Sequence, residues 1–144
     1  MSPMPSPRIL VDTGPLVAIF SRDDSYHRVC VEALREMIGP LYSCWPVVTE
    51  AAWLLRHYPN AIQRLLRSTE TGFLELLTLD GAEAKAIATL MKRYASMRPQ
   101  LADAALVHLA GRERIETIFT LDRCDFSIYR TGRGHRFRIV PDLD

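Results

Sequence analysis

Four carboxylates in this sequence stand where side chains of their type are awkward. Asp12 directly follows the apolar run Arg8-Ile9-Leu10-Val11 and opens the turn sequence Asp-Thr-Gly-Pro. Glu50 lies inside an apolar segment opened by Pro46. At about 100° per residue from Val47, it falls near 300°, on the flank of an arc holding Ala51, Leu54, Leu55 and Val48. Asp103 is sharper: with it at 0°, Leu106, Val107 and Ala110 fall at about 300°, 40° and 340°, so a carboxylate occupies the centre of an apolar stripe. Asp122 follows Phe119-Thr120-Leu121, with Asp125 three residues later. Each has a plain structural reading: turn formers at 12 and 122, a boundary glutamate at 50, a helix N-cap at 103.

Taken together they suggest chemistry. If the four were gathered within about 6 Å, each pair would repel by roughly 2.8 kcal/mol at an effective dielectric of about 20, and six pairs by about 16 kcal/mol. A marginally stable domain cannot absorb that, so protons or cations must share such a pocket. Oxygen donors without histidine or cysteine select a hard dication, Mg²⁺ or Mn²⁺. A carboxylate nest of this kind suits hydrolysis of phosphodiesters, in which bound ions generate hydroxide and neutralise charge on the scissile phosphate and leaving oxygen.

The elements that must position these acids follow from local pattern. Residues 8–11 read as a buried strand ended by turn chemistry, with Pro15 in the first turn of a helix. Asp23-Asp24-Ser25 can cap a helix carrying Val29, Val31, Leu34 and Ile38 as far as Gly39-Pro40. Residues 41–45 form a second strand, helices open at Pro46 and Pro59 and run to His57 and Arg67, and residues 73–77 form a third strand. Asp80-Gly81-Ala82-Glu83 has capping-box spacing and starts a long helix to Met97, broken by Arg98-Pro99-Gln100. A helix from Ala102 to Arg112, a strand at 117–120 and a fifth strand at 137–140 complete the series. Short apolar strands alternating with helices predict a three-layer α/β/α domain around a central parallel sheet, spanning residues 8–144 after a frayed Pro/Ser/Met tail at 1–7. Such sheets bind ligands beyond the carboxyl ends of their strands, where Asp12 and Asp122 stand.

Composition removes other classes. Eighteen basic and 17 acidic residues leave a net charge of +1, and 48% of the 144 residues are hydrophobic. Neither disorder nor attraction to a polyanion through overall charge follows. No apolar run approaches the roughly 20 residues of a membrane helix, and the start lacks the pattern of a secretion signal. Cys30, Cys44 and Cys124 are odd in number and widely spaced, which points to a reduced cytoplasm rather than a disulfide framework or a metal knuckle.

At this point the residues carry a resemblance. Val11-Asp12-Thr13-Gly14-Pro15-Leu16-Val17-Ala18 resembles the opening of PIN-domain proteins, as does Thr49-Glu50-Ala51. Leu101-Ala102-Asp103-Ala104-Ala105-Leu106-Val107, followed by Thr120-Leu121-Asp122-Arg123-Cys124-Asp125-Phe126, is similar to that family's closing half in order and spacing. The likeness runs from about Ile9 to Val140 and is greatest to VapC-type toxins of type II toxin–antitoxin systems. It implies a Mg²⁺- or Mn²⁺-dependent endoribonuclease with Asp12, Glu50, Asp103 and Asp122 as catalytic, metal-binding acids. Thr120, and with it Thr13, would orient them from behind, and Asp125 matches a less regular acid of the family. A protein antitoxin and a homodimer are implied as partners.

Other features divide between plain and functional readings. Arg130, Arg133, Arg136 and Arg138 place four basic residues and no acid near the C-terminus, an RNA-contact candidate or a solvated loop. His27 reads as structural or solvated and His108 as exposed, and neither has the spacing of a catalytic pair. Trp45 and Trp53 read as core or interface, and the helices of residues 46–67 offer a partner surface. Asp-Thr-Gly also resembles the active-site triplet of aspartic peptidases, but that chemistry belongs to an all-β dimer. A haloacid-dehalogenase-type phosphatase would want an aspartate at position 14, which is glycine. A non-catalytic PIN-like module that binds RNA or protein is the alternative to an enzyme.

Overall fold

A computed structural model describes residues 7–132 and 134–143. Apart from Pro7, the tail expected at 1–7 lies outside them, as does Arg133. Five strands, β1 (Ile9–Val11), β2 (Leu41–Ser43), β3 (Leu74–Leu76), β4 (Thr117–Phe119) and β5 (Arg138–Val140), pair in parallel in the order β3-β2-β1-β4-β5. Seven helices join or follow them: α1 (Thr13–Phe20), α2 (His27–Arg35), α3 (Trp45–Leu54), α4 (Pro59–Glu70), α5 (Ala84–Arg93), α6 (Leu101–Glu113) and α7 (Arg123–Ile128). The expected central parallel sheet flanked by helices is the observed architecture. An aspartic peptidase, which needs an all-β dimer, is excluded by it.

The strands are apolar on both faces because helices cover both. Leu10, Val11, Leu41, Leu74, Ile118 and Phe119 are buried, and Leu16, Val47, Leu65, Leu106 and Leu109 close on them from the helices. The chain builds outward from β1 through β2 to β3, then returns to place β4 on the other side of β1. The strand order therefore reverses between β1 and β4, which opens a crevice at their carboxyl ends. Register aligns Val11 with Phe119, and the Asp12 N–H donates to the Phe119 carbonyl at 2.9 Å. Asp12 and Thr120 thus leave the sheet side by side.

Several boundaries differ from the sequence reading. α2 stops at Arg35 rather than running to Gly39, and Ile38 is 75% exposed beyond it. α3 stops at Leu54, so Leu55 turns into the core while Leu54 and Tyr58 face outward. The long helix expected from residue 80 to Met97 is instead α5 with a 3₁₀ turn at each end (Gly81–Glu83 and Ala95–Met97). Its capping box is real: Asp80 accepts from the Ala82 N–H, and Glu83 accepts from the Asp80 N–H, both at 2.9 Å. α7 was not foreseen at all. Trp45 and Trp53 are 57% and 64% exposed, so neither belongs to the core.

Both histidines are structural. His27 Nδ1 lies 2.7 Å from the Ala18 carbonyl and ties α2 to α1. His108, expected to be exposed, is half-buried with Nε2 2.8 Å from Glu83 Oε1, an oxygen that Arg112 also reaches at 2.6 Å. The His108 bond, then the Asp80 N–H and Arg112, hold the Glu83 carboxyl down to about 2.

Gly111 on α6 faces Gly132 of the loop after α7 at backbone contact. A Cβ on Gly132 would stand 2.6 Å from Gly111 Cα, and one on Gly111 would stand 3.0 Å from Gly132 Cα. No side chain can swing away to relieve that overlap, so backbone must move. Gly132→Ala is expected to cost about 1–3 kcal/mol, read as a lower urea midpoint at unchanged slope. An unchanged midpoint would show that the loop lifts off α6 freely.

Candidate active site

Asp12 caps α1 in an extended conformation at the end of β1 and is 8% exposed. Both its oxygens are engaged. Oδ1 accepts from the Thr13 N–H, and Oδ2 accepts from the Thr120 hydroxyl, each at 2.8 Å. Thr120 is fully buried, and its oxygen in turn accepts from the Asp122 N–H at 2.9 Å. Asp122 is exposed and caps α7, its Oδ1 accepting from the Asp125 N–H at 3.1 Å. One run of hydrogen bonds therefore carries orientation from β1 across β4 into α7.

A second branch leaves through Thr13. Its hydroxyl donates to Glu50 Oε2 at 3.1 Å, reaching α3. Glu50 is half-buried, as its place on the flank of the apolar arc leads one to expect. Gln100, in the orientation that satisfies its amide, donates from the side-chain nitrogen to Glu50 Oε1 at 2.8 Å and Oε2 at 3.3 Å. The Gln100 backbone N–H donates to Asp103 Oδ2 at 3.0 Å. Gln100 is the N-cap of α6 and Asp103 its third residue. Asp103 is thus inside the helix rather than its cap. Asp12, Thr13, Glu50, Asp103, Thr120, Asp122 and Asp125 all belong to this one network, drawn from four helices and two strand ends.

The electrostatics are those of anions without counterions. Among the described residues none of the five carboxylates has an ion-pair partner. Burial pushes the Asp12 carboxyl up to about 6, against the hydrogen bonds from Thr13 and Thr120, and the charges of Asp103 and Glu50 push the same way. Burial also raises Asp103, aided by Glu50, Asp122 and Asp125. Asp125 is raised by burial and then by Asp122. Among the described residues no three His, Cys, Asp or Glu side chains stand tightly enough, as they are, to hold one ion between them. Their chemistry nonetheless fits a hard dication: every donor is oxygen, the charge is uncompensated, and no thiol or imidazole takes part.

Two neighbours escaped the sequence reading. Gln100 figured there only as part of a helix break, and glutamine is not among the side chains that mark an N-cap, so no local signal singled it out. Tyr129, 1% exposed, has a hydroxyl without a partner among the described residues. Burial, then the charges of Asp103, Asp125, Asp122 and Asp12, push its hydroxyl pKa up, which places it beside the cluster as a neutral O–H.

The arginines separate. Arg130 turns one guanidinium nitrogen onto the carbonyls of Ser127, Ile128 and Tyr129 at 2.9, 2.7 and 3.2 Å, so it caps the end of α7. Arg136 is exposed and bridges back to Arg130 across the loop. Arg138 begins β5 and so sits at the opposite, amino edge of the sheet. A groove of about 800 Å³ lies at that same edge, lined by Ile9, Val29, Thr117 and Arg138, away from the carboxylates.

Comparison with known proteins agrees with the order of these motifs. Residues 9–131 match the PIN-domain family. Ribonuclease VapC26 of Mycobacterium tuberculosis (strain ATCC 25618 / H37Rv) is 34% identical over 135 residues, covering 92% of this chain and 100% of that protein. Among solved structures, Mycobacterium tuberculosis VapC20, described as a sarcin–ricin-loop-cleaving toxin, superposes with a TM-score of 0.71 at 13% identity, over 76% of this chain and 86% of that one. That superposition speaks for the fold; the extent of the family match and of the VapC26 alignment decides membership. The chain belongs to the PIN-domain family, among its VapC-type members.

Proposed function

We propose that this protein is a Mg²⁺- or Mn²⁺-dependent endoribonuclease and the toxin of a toxin–antitoxin pair. The observation that carries the reading is Asp12: a buried carboxylate, oriented on both oxygens, lying among three further acids with no cation beside it. The names of its relatives, a ribonuclease and an RNA-cleaving toxin, supply the substrate class.

In this reading Asp12, Glu50, Asp103 and Asp122 hold one or two ions, directly or through water. A bound dication supplies the positive charge that activates water and offsets charge developing on the phosphate. Asp12 must shed its proton before it can serve, and Thr13 and Thr120 keep its oxygens aimed as it does so. Asp122 is locked to Thr120 through its own backbone, which fixes the β4 side of the pocket relative to the β1 side. Arg136, with Arg133, offers bidentate contacts to the RNA backbone.

The antitoxin and a second copy of the chain are the partners this reading calls for. Trp45, Trp53, Leu54 and Tyr58, all at least 44% exposed on or beside α3, give either of them apolar surface to bury. No helix among the described residues is long and apolar enough to cross a membrane, and we place the activity in the cytoplasm with its RNA.

The test is cleavage of structured RNAs with Mg²⁺ or with EDTA, using Asp103→Asn as control. EDTA should abolish cleavage, added Mg²⁺ should restore it, and the variant should stay inactive. Cleavage that persists in EDTA rejects the metal-dependent reading. A protein that binds RNA but never cuts it favours the non-catalytic module.

A further inference from the structure

Gln100 touches two of the four acids at once, from a position outside every motif that defines the family likeness. Its backbone N–H takes Asp103 on α6, and its side-chain amide takes both oxygens of Glu50 on α3. Among the described residues the other side-chain donor to Glu50 is Thr13, and no cationic group reaches either acid. Two carboxylates that repel one another are therefore held at a set spacing by a single neutral residue between them.

Resting on the ribonuclease reading, we infer that Gln100 is a positioning residue that fixes the separation of Glu50 and Asp103 and thereby sets the affinity of the pocket for a divalent cation. The side-chain type suits the task. An amide nitrogen donates hydrogen bonds to both oxygens without supplying positive charge, so it orders Glu50 without competing with the incoming ion. A lysine or arginine there would neutralise the carboxylate and occupy the cation's place. A glutamate would add one more negative charge and no donor. Each Glu50 oxygen has lone pairs beyond those the amide engages, so Gln100 acts as an outer partner that orients a ligand.

Gln100 is exposed but caps α6, so its loss should lower the ion-free urea midpoint slightly. That midpoint, read without Mg²⁺, separates the capping effect from the Mg²⁺ response. The variants are Gln100→Ala, which removes the side chain, and Gln100→Met, which keeps its length but not its donor. The first readout is the Mg²⁺ concentration that gives half of the full thermal stabilisation, without RNA. The second is the split between half-saturating Mg²⁺ and maximal turnover in RNA cleavage. Both variants should need about ten- to a hundredfold more Mg²⁺ in each assay. Turnover at saturating Mg²⁺ should fall by less than about threefold.

Wild-type Mg²⁺ affinity in Gln100→Met would show that bulk suffices and overturn the inference. So would loss of turnover at every Mg²⁺ concentration with half-saturation unmoved. If the wild-type protein itself shows neither Mg²⁺ stabilisation nor EDTA-sensitive cleavage, the ribonuclease reading fails and takes this inference with it. A wild type that responds to Mg²⁺, with variants whose half-saturating Mg²⁺ is unshifted, sinks the Gln100 role alone.

Discussion

Asp12→Asn should lower RNA cleavage at least about a hundredfold and, in the same protein, raise the stability of the ion-free fold. The two effects share one cause. Asp12 is buried, and its carboxyl is pushed from an ordinary 3.8 up to about 6. The folded protein therefore holds that proton more tightly than the unfolded chain does. Between about pH 4 and pH 6 the native state binds more protons, so stability falls as pH rises through that window. Above it the charged side chain costs on the order of 3 kcal/mol, at about 1.36 kcal/mol per pKa unit. Asparagine carries no such cost, and its carbonyl oxygen can still accept from Thr13.

Urea unfolding at pH 4.5 and 7.5, without divalent ions, is the measurement. The wild type should lose stability across that interval, and Asp12→Asn should be flatter and more stable at the upper pH. Adding Mg²⁺ should reverse the order, because only the wild type gains binding energy from the ion. Identical pH profiles for the two proteins, or full activity in the variant, would remove Asp12 from its assigned place.

The second large effect lies behind the site. Phe126→Ala should cost about 3–5 kcal/mol, the range for deleting a buried aromatic ring. Phe126 is fully buried and meets Tyr129 and Phe137 edge to face, with ring centroids 5.1 and 5.7 Å away; Tyr129 extends the cluster to Tyr94 at 4.9 Å. It is also the one buried residue of α7, a helix of six residues. A helix that short has no stability of its own, so its packing must come from this ring. Asp122 is its N-cap and Asp125 lies in its first turn. The variant should therefore show weakened Mg²⁺ stabilisation as well as a lower urea midpoint. A loss under about 1 kcal/mol would mean that the neighbouring aromatic rings close the gap unaided.

Why some of this could be read from the sequence, and some not, is a matter of range. Strand ends are marked locally by an apolar run meeting Asp, Thr, Gly or Pro, so Asp12 and Asp122 could be placed on the carboxyl edge without tertiary information. Asp103 was visible because helical periodicity put a charge among Leu106, Val107 and Ala110. α7 was invisible because six residues with one buried side chain make no period. The bond from Gln100 to Glu50 joins distant segments and leaves no local trace, and the pairing of His108 with Glu83 across 25 residues hides for the same reason. For the tryptophans, residue type could not choose between core and interface, because it predicts burial only on average. α3 ended at Leu54 and left Trp45, Trp53 and Leu54 outside while burying Val47, Val48 and Ala51.

Asp12 and Thr120 are hydrogen-bonded although 108 residues separate them, because β4 is inserted beside β1 after β2 and β3 have been laid on the other side. A ribosome making this protein therefore releases the first acid long before the strand that orients it. Nascent or prematurely terminated chains lacking β4 have Asp12 but neither the Thr120 hydroxyl bonded to it nor Asp122. On the proposed ribonuclease reading, translation order keeps unfinished copies inert, and activity arrives late, as a property of nearly the whole polypeptide.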